Sequence, residues 1–372
     1  MAPFDPRSPL GADFRDAVHE HLNTFIAQRS ADLVSIAAPL SRLGELATTF
    51  TAGGKRIRPA FVYWSHVAAA GQPDEATHEA LLRAGASMDL LHVSALMHDD
   101  VMDGSDTRRG VPAAHRQLEA EHRAASGRGS AEGFGRAGAI LLGDLLLVWS
   151  AELFGRSGVS DEALKRAQPL VDAVRHEVTA GQFLDVLAQA RLGADPSVAS
   201  DLAQEVALAE RVVEFKTSRY TVARPCQIGA ALGGGSDELV RGLGEFGSPL
   251  GHAFQYRDDV LGVFGDEDVT GKPAGDDLRE GKRTVLVAHA LAQASPGEAS
   301  ELDAMLGDAS LTTTDIERAR AIIEGSGARE ATEREIEASS AKALAALAAT
   351  PMTDDGRVAL TALAEAAVRR TF

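Results

Sequence analysis

Apolar positions recur three and four residues apart along most of the chain, and strict polar/apolar alternation is scarce, so the pattern predicts helices almost throughout. Residues 11–50 read as one or two amphipathic helices that end before TAGGKRIRP. There the Gly53–Gly54 pair makes a break, and Pro59 suits the first turn of the next helix, through AFVYWSHVAAA. Helical patterning resumes from about residue 76 to 102, in AILLGDLLLVWSAELF, and around residues 161–191, 198–232 and 237–264, with no fixed-period repeat. Residues 118–138 are polar and rich in Gly, Ser and Arg, the composition of a flexible surface excursion. Residues 265–284, charged and glycine-rich, read as a loop over a polar site, and the remainder is alanine-rich helix broken at GDASLTTTD and ATPMTDDG.

A chain of 372 residues with 45% hydrophobic content can bury a large core, and the helical pattern favours one large all-α domain. Its formal charge of −17, from 54 acidic against 37 basic residues, argues against a nucleic-acid or anionic-membrane surface while leaving room for local basic sites. The single cysteine, Cys226, excludes an intrachain disulfide and reads as a small core residue. The opening MAPFDPRSPL lacks the basic start and apolar run of a secretory signal. The greasy run AGAILLGDLLLVW is too short to span a bilayer and contains Asp144. A cytoplasmic protein without a transmembrane segment is expected.

The chemistry gathers in LLHVSALMHDDVMDGSDTRRG, residues 90–110. Met88, Leu91, His92, Ala95, Asp99 and Asp103 share one helix face that starts apolar and ends acidic, with Asp100 rotated to the side. Such a cluster also suits a solvated helix face, and His92 and His98 also suit ordinary helix histidines. Like charges in a partly enclosed site repel, however, and a divalent cation resolves the conflict. Magnesium suits carboxylate oxygens and bridges them to phosphate. A second acidic pair, Asp258–Asp259, lies on another predicted helix in FQYRDDVLGVFGD. Lys55, Arg58, Arg108, Arg109, Lys216, Lys272 and Lys282 supply positive charge, and GGKRIRP places Lys55, Arg56 and Arg58 at a helix entrance suited to an anion.

From about residue 45 to at least 290, the chain resembles the trans-isoprenyl diphosphate synthases. The resemblance rests on GGKRIRP (53–59), the 90–110 stretch, GQFLD (181–185), KTSRY (216–220) and FQYRDDVLGVFGDEDVTGKPAGDDLREGKRT (254–284), in the family's order. It implies an all-α isoprenoid synthase fold, a helical bundle around a deep central cavity, with residues 1–44 as an N-terminal helical segment, 45–372 as the synthase domain and a flexible insertion at about 120–135. It further implies a homodimer and Mg²⁺ as cofactor. Asp99, Asp103 and Asp258 would hold the metal on the allylic diphosphate, supported by Asp100 and Asp259. Arg108, Lys216, Lys272 and Lys282 would bind the allylic diphosphate, and Lys55, Arg58, His92 and Arg109 isopentenyl diphosphate. Thr217 and Gln255 would lie close to the reacting carbons, with Gln182 and Asp185 on a cavity-facing helix. The second motif departs from the family's pattern: Gly262 stands where a third aspartate is usual.

In that family the hydrocarbon tail grows down the apolar face beneath the first aspartates. Ser94 and Ala95 are small where members stopping at fifteen carbons often carry an aromatic residue, while Leu91 and Met88 are positioned to close the tunnel below, unless they are simply core residues. Geranylgeranyl diphosphate is the expected product. The alternatives are a farnesyl or longer-chain synthase, a catalytically weak partner subunit, a class I terpene cyclase and an HD-type phosphohydrolase suggested by His98–Asp99.

Overall fold

Asp74 starts a 28-residue helix by accepting the Thr77 amide on its side chain, at 2.8 Å, which satisfies one of the N–H groups a helix start leaves open. This helix is α4 (Glu75–Met102) of a computed structural model that describes residues 4–190, 202–265 and 275–368. Before it come α1 (Ala12–Ile36), α2 (Ser41–Thr51) and α3 (Ile57–Ala70). After it, β1 (Thr107–Arg108) and β2 (Val111–Pro112) form a small antiparallel hairpin in which Arg108 faces Val111. Then follow α5 (Ala114–Ala124), α6 (Ala131–Gly155), α7 (Asp161–Ala190), α8 (Leu202–Val212), a π-helix (Val213–Ala223), α9 (Arg224–Leu232) and α10 (Asp237–Phe264). The rest comprises α11 (Asp276–Arg279), α12 (Val285–Gln293), α13 (Pro296–Met305), α14 (Thr313–Gly325), α15 (Ala328–Ala349) and α16 (Asp354–Val368).

The chain divides into two compact units. The first comprises Met1–Ala167, Ile228–Ser236 and Met352–Ala362; the second comprises Gln168–Gln227, Asp237–Pro351 and Leu363–Phe372. In the first, α1 buries Phe14, Val18 and Leu22, and α3 buries Phe61, Tyr63 and Trp64. Each such side chain removed from water contributes roughly 1.5–3 kcal/mol before the entropy cost of ordering it. The Trp64 indole N–H finds the Pro9 carbonyl at 3.2 Å, as a buried polar edge must. Helices α3 and α4 approach so closely that a Cβ on Gly85 would lie 3.1 Å from Pro59 Cα. In the second unit Tyr256, Val260 and Val263 of α10 join Leu286 of α12, Ile322 of α14 and Ile336 of α15 in one core.

Two expectations are corrected. The excursion expected over 118–138 is mostly helical: α5 runs to Ala124 and α6 begins at Ala131, leaving only the connection between them irregular. Buried Leu118 on α5, and Ser130 accepting the Gly133 amide at the start of α6, explain why polar composition did not prevent helix formation. The greasy run, read as too short to span a bilayer, belongs to a 25-residue helix containing an 18-residue window of mean hydropathy 1.7, which by length and composition is enough to cross a membrane. That helix buries Ala139, Leu142, Leu146, Trp149 and Leu153 within the first unit.

Candidate functional site

Helix α4 ends in acid. Asp99 sits in its last turn, and Asp103 caps it with an amide bonded to the Asp99 carbonyl at 2.8 Å, so the i,i+4 relation predicted from spacing is present. No basic residue lies in that turn. Two carboxylates at the negative end of a helix dipole are mutually unfavourable, and a bound cation removes both penalties. Asp100, only 1% exposed, has turned away and receives Arg108 through both Nε (2.8 Å) and Nη2. The hairpin between α4 and α5 supplies that arginine, which is why TRR follows the aspartates so closely.

Arginines converge on His92. Burial first, and then the charges of Arg58, Arg109, Arg108 and Arg56, push its imidazole well below the usual histidine range, so it is neutral at pH 7. Arg109 adopts a left-handed backbone with φ 54° and donates Nη1 to the Phe50 and Ala52 carbonyls at 3.0 and 3.1 Å. That brings it against the Gly53–Gly54 turn, where a Cβ on Gly54 would sit 3.4 Å from its Nη2. The turn needs glycine, with φ of 72° and 89°. Arg58, His92 and Arg109, far apart in sequence, thus lie together, with Lys55 exposed in the same turn. Arg56 differs from its neighbours. It is 5% exposed and bonded to Asp89 at 2.7 Å and the Thr51 carbonyl at 2.9 Å, so it anchors the turn.

Below the aspartates, Met88 and Leu91 are buried. Ser94 is also buried and donates to the Gly143 carbonyl of α6 at 2.7 Å, whereas Ala95 is half-buried.

In the second unit, the KT pair lies on the π-helix. Lys216 Nζ donates to Asp185 of α7 at 2.5 Å. Thr217 donates to Gln255 Oε1 at 2.7 Å, and the Gln255 amide nitrogen donates to Asp259 Oδ1 at 2.8 Å. Burial pushes the Asp259 carboxyl up to about 8, with Asp277 and Asp258 adding to the rise against the Gln255 hydrogen bond. Its other oxygen, Oδ2, is buried without a hydrogen-bond partner among the described residues. A Cβ on Gly262 would lie 1.9 Å from Asp277 Oδ2, so a carboxylate of α11 fills the space beside α10 where the third aspartate was missed. Lys282 contacts Glu280 at 2.5 Å and Asp277 at 3.6 Å. Lys272 lies outside the described residues.

These residues fit a divalent cation. Asp99 and Asp103 put two carboxylates one helical turn apart at the negative end of α4, the donor type and the place that favour a bound cation. Among the described residues no three carboxylate, histidine or cysteine side chains converge enough to hold a metal unaided. Mg²⁺ keeps several waters and takes phosphate oxygens as ligands, so its remaining positions need not be filled by side chains.

Sequence reasoning missed Asp277, the Arg56–Asp89 pair, and a charge network of Glu177, Glu214, Arg219 and Arg224 beneath the KT pair. Glu214, Arg219 and Arg224 recur every five residues, a spacing that matches neither helix nor strand and so drew no attention.

The order of these parts along the chain can be compared with known proteins. A short chain isoprenyl diphosphate synthase of Methanothermobacter thermautotrophicus is 34% identical over 280 residues, covering 75% of this chain and 76% of that one. A geranylgeranyl pyrophosphate synthase of Corynebacterium glutamicum, solved with isoprenyl diphosphate and magnesium, is 40% identical with a TM-score of 0.89 over 96% of this chain and 99% of its own. A polyprenyl synthase of Caulobacter crescentus, solved with calcium and isoprenyl diphosphate, is 30% identical with a TM-score of 0.75, covering 100% of this chain and 99% of that one. The all-helical fold is therefore the isoprenoid synthase fold. Residues 41–323, which hold both aspartate pairs, the arginine turn and the KT pair, match the polyprenyl synthetase family, and the chain belongs to it.

Proposed function

We propose that this protein is a Mg²⁺-dependent trans-prenyltransferase that condenses isopentenyl diphosphate head-to-tail with an allylic diphosphate to make geranylgeranyl diphosphate. The observation that carries the reading is the Asp99–Asp103 pair, one helical turn apart at the negative end of α4, in a chain 40% identical to a synthase solved with magnesium and isoprenyl diphosphate.

Asp99, Asp103 and Asp258 are the metal ligands in this reading. Bound Mg²⁺ would neutralise charge on the leaving diphosphate. Arg108, Lys216, Lys272 and Lys282 hold that diphosphate and stabilise the charge that grows as the allylic C–O bond breaks. Arg58, Arg109 and Lys55 hold isopentenyl diphosphate by charge, and His92 offers it a ring hydrogen bond. The isopentenyl double bond attacks carbon-1 of the allylic cation, and loss of a proton to the departing diphosphate gives a product five carbons longer. Thr217 and Gln255 flank the cation with oxygen dipoles. Water must be kept out for the cation to survive.

The growing tail runs past Ala95 towards Leu91 and Met88, which set the floor. The chain acts in the cytoplasm as a homodimer. Phe134, Leu141 and Val148 support the dimer: they stand seven residues apart on α6 and are 50%, 62% and 62% exposed, an apolar stripe of the kind that a second copy covers.

The deciding experiment incubates purified protein with Mg²⁺, isopentenyl diphosphate and, separately, dimethylallyl, geranyl and farnesyl diphosphate, and sizes the products by mass-resolved chromatography. A dominant twenty-carbon trans diphosphate is expected. Failure to condense any starter would refute the reading, and a cyclised hydrocarbon from one diphosphate alone would replace it with a terpene cyclase.

A further inference from the structure

Lys216 and Thr217 are carried on an unusual piece of backbone. Residues Val213–Ala223 form a π-helix, closed at its end by the Arg224 amide bonding to the Arg219 carbonyl five residues back. Most π-helices are single turns inside α-helices, because the wider winding is intrinsically unfavourable. Eleven residues of it need an external cause.

The side chains beneath supply one. Glu214 Oε1 accepts Arg219 Nε at 2.6 Å, and Glu177 of α7 accepts Arg219 Nη1 at 2.8 Å and Arg224 Nε at 2.8 Å. Glu214 Oε2 accepts in addition Ser248 Oγ at 2.7 Å and His252 Nε2 at 2.9 Å, both from α10. Positions 214, 219 and 224 are five apart. In α-winding, five residues turn through about 500°, leaving each roughly 140° out of line with the last; in π-winding they stack along the i→i+5 hydrogen bonds. The ladder of carboxylate and guanidinium is therefore continuous only in the π register. Most of these groups are shielded, with side-chain exposures of 11% for Glu177 and 19% for Glu214, so breaking the ladder strands poorly solvated charge.

The main chain is gripped as well. A Cβ on Gly181 of α7 would lie 2.3 Å from the Lys216 amide nitrogen, and Cβ atoms on Gly251 and Gly247 of α10 would lie 2.4 Å from the Cα atoms of Ser218 and Ala223. Helices on two sides thus touch the π backbone directly, one of them at Lys216 itself.

We propose that Glu177, Glu214, Arg219 and Arg224 are positioning residues: they lock residues 213–223 in the π register and thereby aim Lys216 and Thr217 at the allylic diphosphate and the reacting carbons. This presumes the substrate role proposed above for Lys216 and Thr217. Each residue of π-winding lost to α-winding would turn the KT pair against the anchored end, away from Asp185 and Gln255.

The test is a crystal structure of the Glu214→Gln chain together with its steady-state kinetics. The π register should relax toward α-winding, KM for the allylic diphosphate should rise roughly tenfold or more with a fall in kcat, and KM for isopentenyl diphosphate should stay within about twofold. If Glu214→Gln does not fold, Ser248→Ala, which removes one neutral hydrogen bond to Glu214, should show the same changes to a smaller degree. Unaltered π-winding in the variant overturns the lock. Relaxed winding with both KM values unchanged, or with both raised equally, overturns the positioning role. A wild-type protein that condenses nothing refutes the substrate reading and the positioning role with it, while the crystallographic comparison still decides the lock on its own.

Discussion

The carboxylate of Asp277 occupies the space that a side chain at position 262 would need, with a Cβ on Gly262 falling 1.9 Å from Asp277 Oδ2. One residue's missing carboxylate is matched by another's presence. In this arrangement Asp277→Asn should weaken divalent-cation binding by about 10–100-fold, the usual cost of losing a supporting group around a metal. Adding Gly262→Asp to that variant should recover much of the loss, while Gly262→Asp alone must push Asp277 aside. Calorimetric titration with Mn²⁺, in the presence of an unreactive allylic thiodiphosphate, reads all three. Wild-type binding by Asp277→Asn would show that the proximity is packing alone.

Asp99 and Asp100 are adjacent in sequence but differ in surroundings, and their variants should differ in kind. Asp99→Asn should lower kcat by about 10²–10³-fold, the scale of losing one preorganised electrostatic contact in a reaction that develops charge. Asp100→Asn instead weakens the carboxylate that holds Arg108, so KM for the allylic diphosphate should rise before kcat falls. Initial-rate measurements with each substrate varied in turn separate the two patterns.

Ala95 is half-buried one helical turn before Asp99, whereas Ser94 beside it is bonded to α6. Ala95→Phe should therefore shorten the product from twenty to fifteen carbons, as seen by chromatography. Ser94→Phe should instead lower the melting temperature, because overpacking a tight helix contact costs about 1–3 kcal/mol.

Burial opposes ionisation of Glu214, yet hydrogen bonds from His252, Arg219 and Ser248 pull its carboxyl down to about 2. The unfolded chain takes up this proton near 4.5 and the folded one only near 2, so the stabilisation is complete above about pH 4.5 and is lost as pH falls through 2. Its size is on the order of 3 kcal/mol. Denaturant unfolding of wild type and Glu214→Gln at intervals from pH 5 to about 2 should show a steeper acid loss in the wild type; equal slopes would contradict the assignment.

Helix periodicity and break residues marked most of the architecture, because α3, α4, α7 and α10 are long and amphipathic or buried in ways that spacing records. Residues 118–138 misled because helix propensity and one buried leucine outweighed a polar, glycine-containing composition. The acidic pairs were legible as motifs. The grouping of Arg58, His92 and Arg109 depends on a left-handed arginine and a glycine turn, and the exchange between Gly262 and Asp277 joins two helices, so neither follows from local pattern. The π-winding is not legible in the sequence because it depends on contacts with α7 and α10, and the apolar spacing of residues 213–223 does not distinguish it from an α-helix.

Gly181, Gly247 and Gly251 meet main-chain atoms, which cannot rotate aside as a side chain can. In a saturation-mutagenesis scan these three positions should accept glycine alone, with even alanine depleted, while outward-facing neighbours such as Thr179 and Glu245 vary widely. Directed evolution toward new starters or products will thus find its variation in side chains that project from the helices, while these three sites remain fixed points of the library.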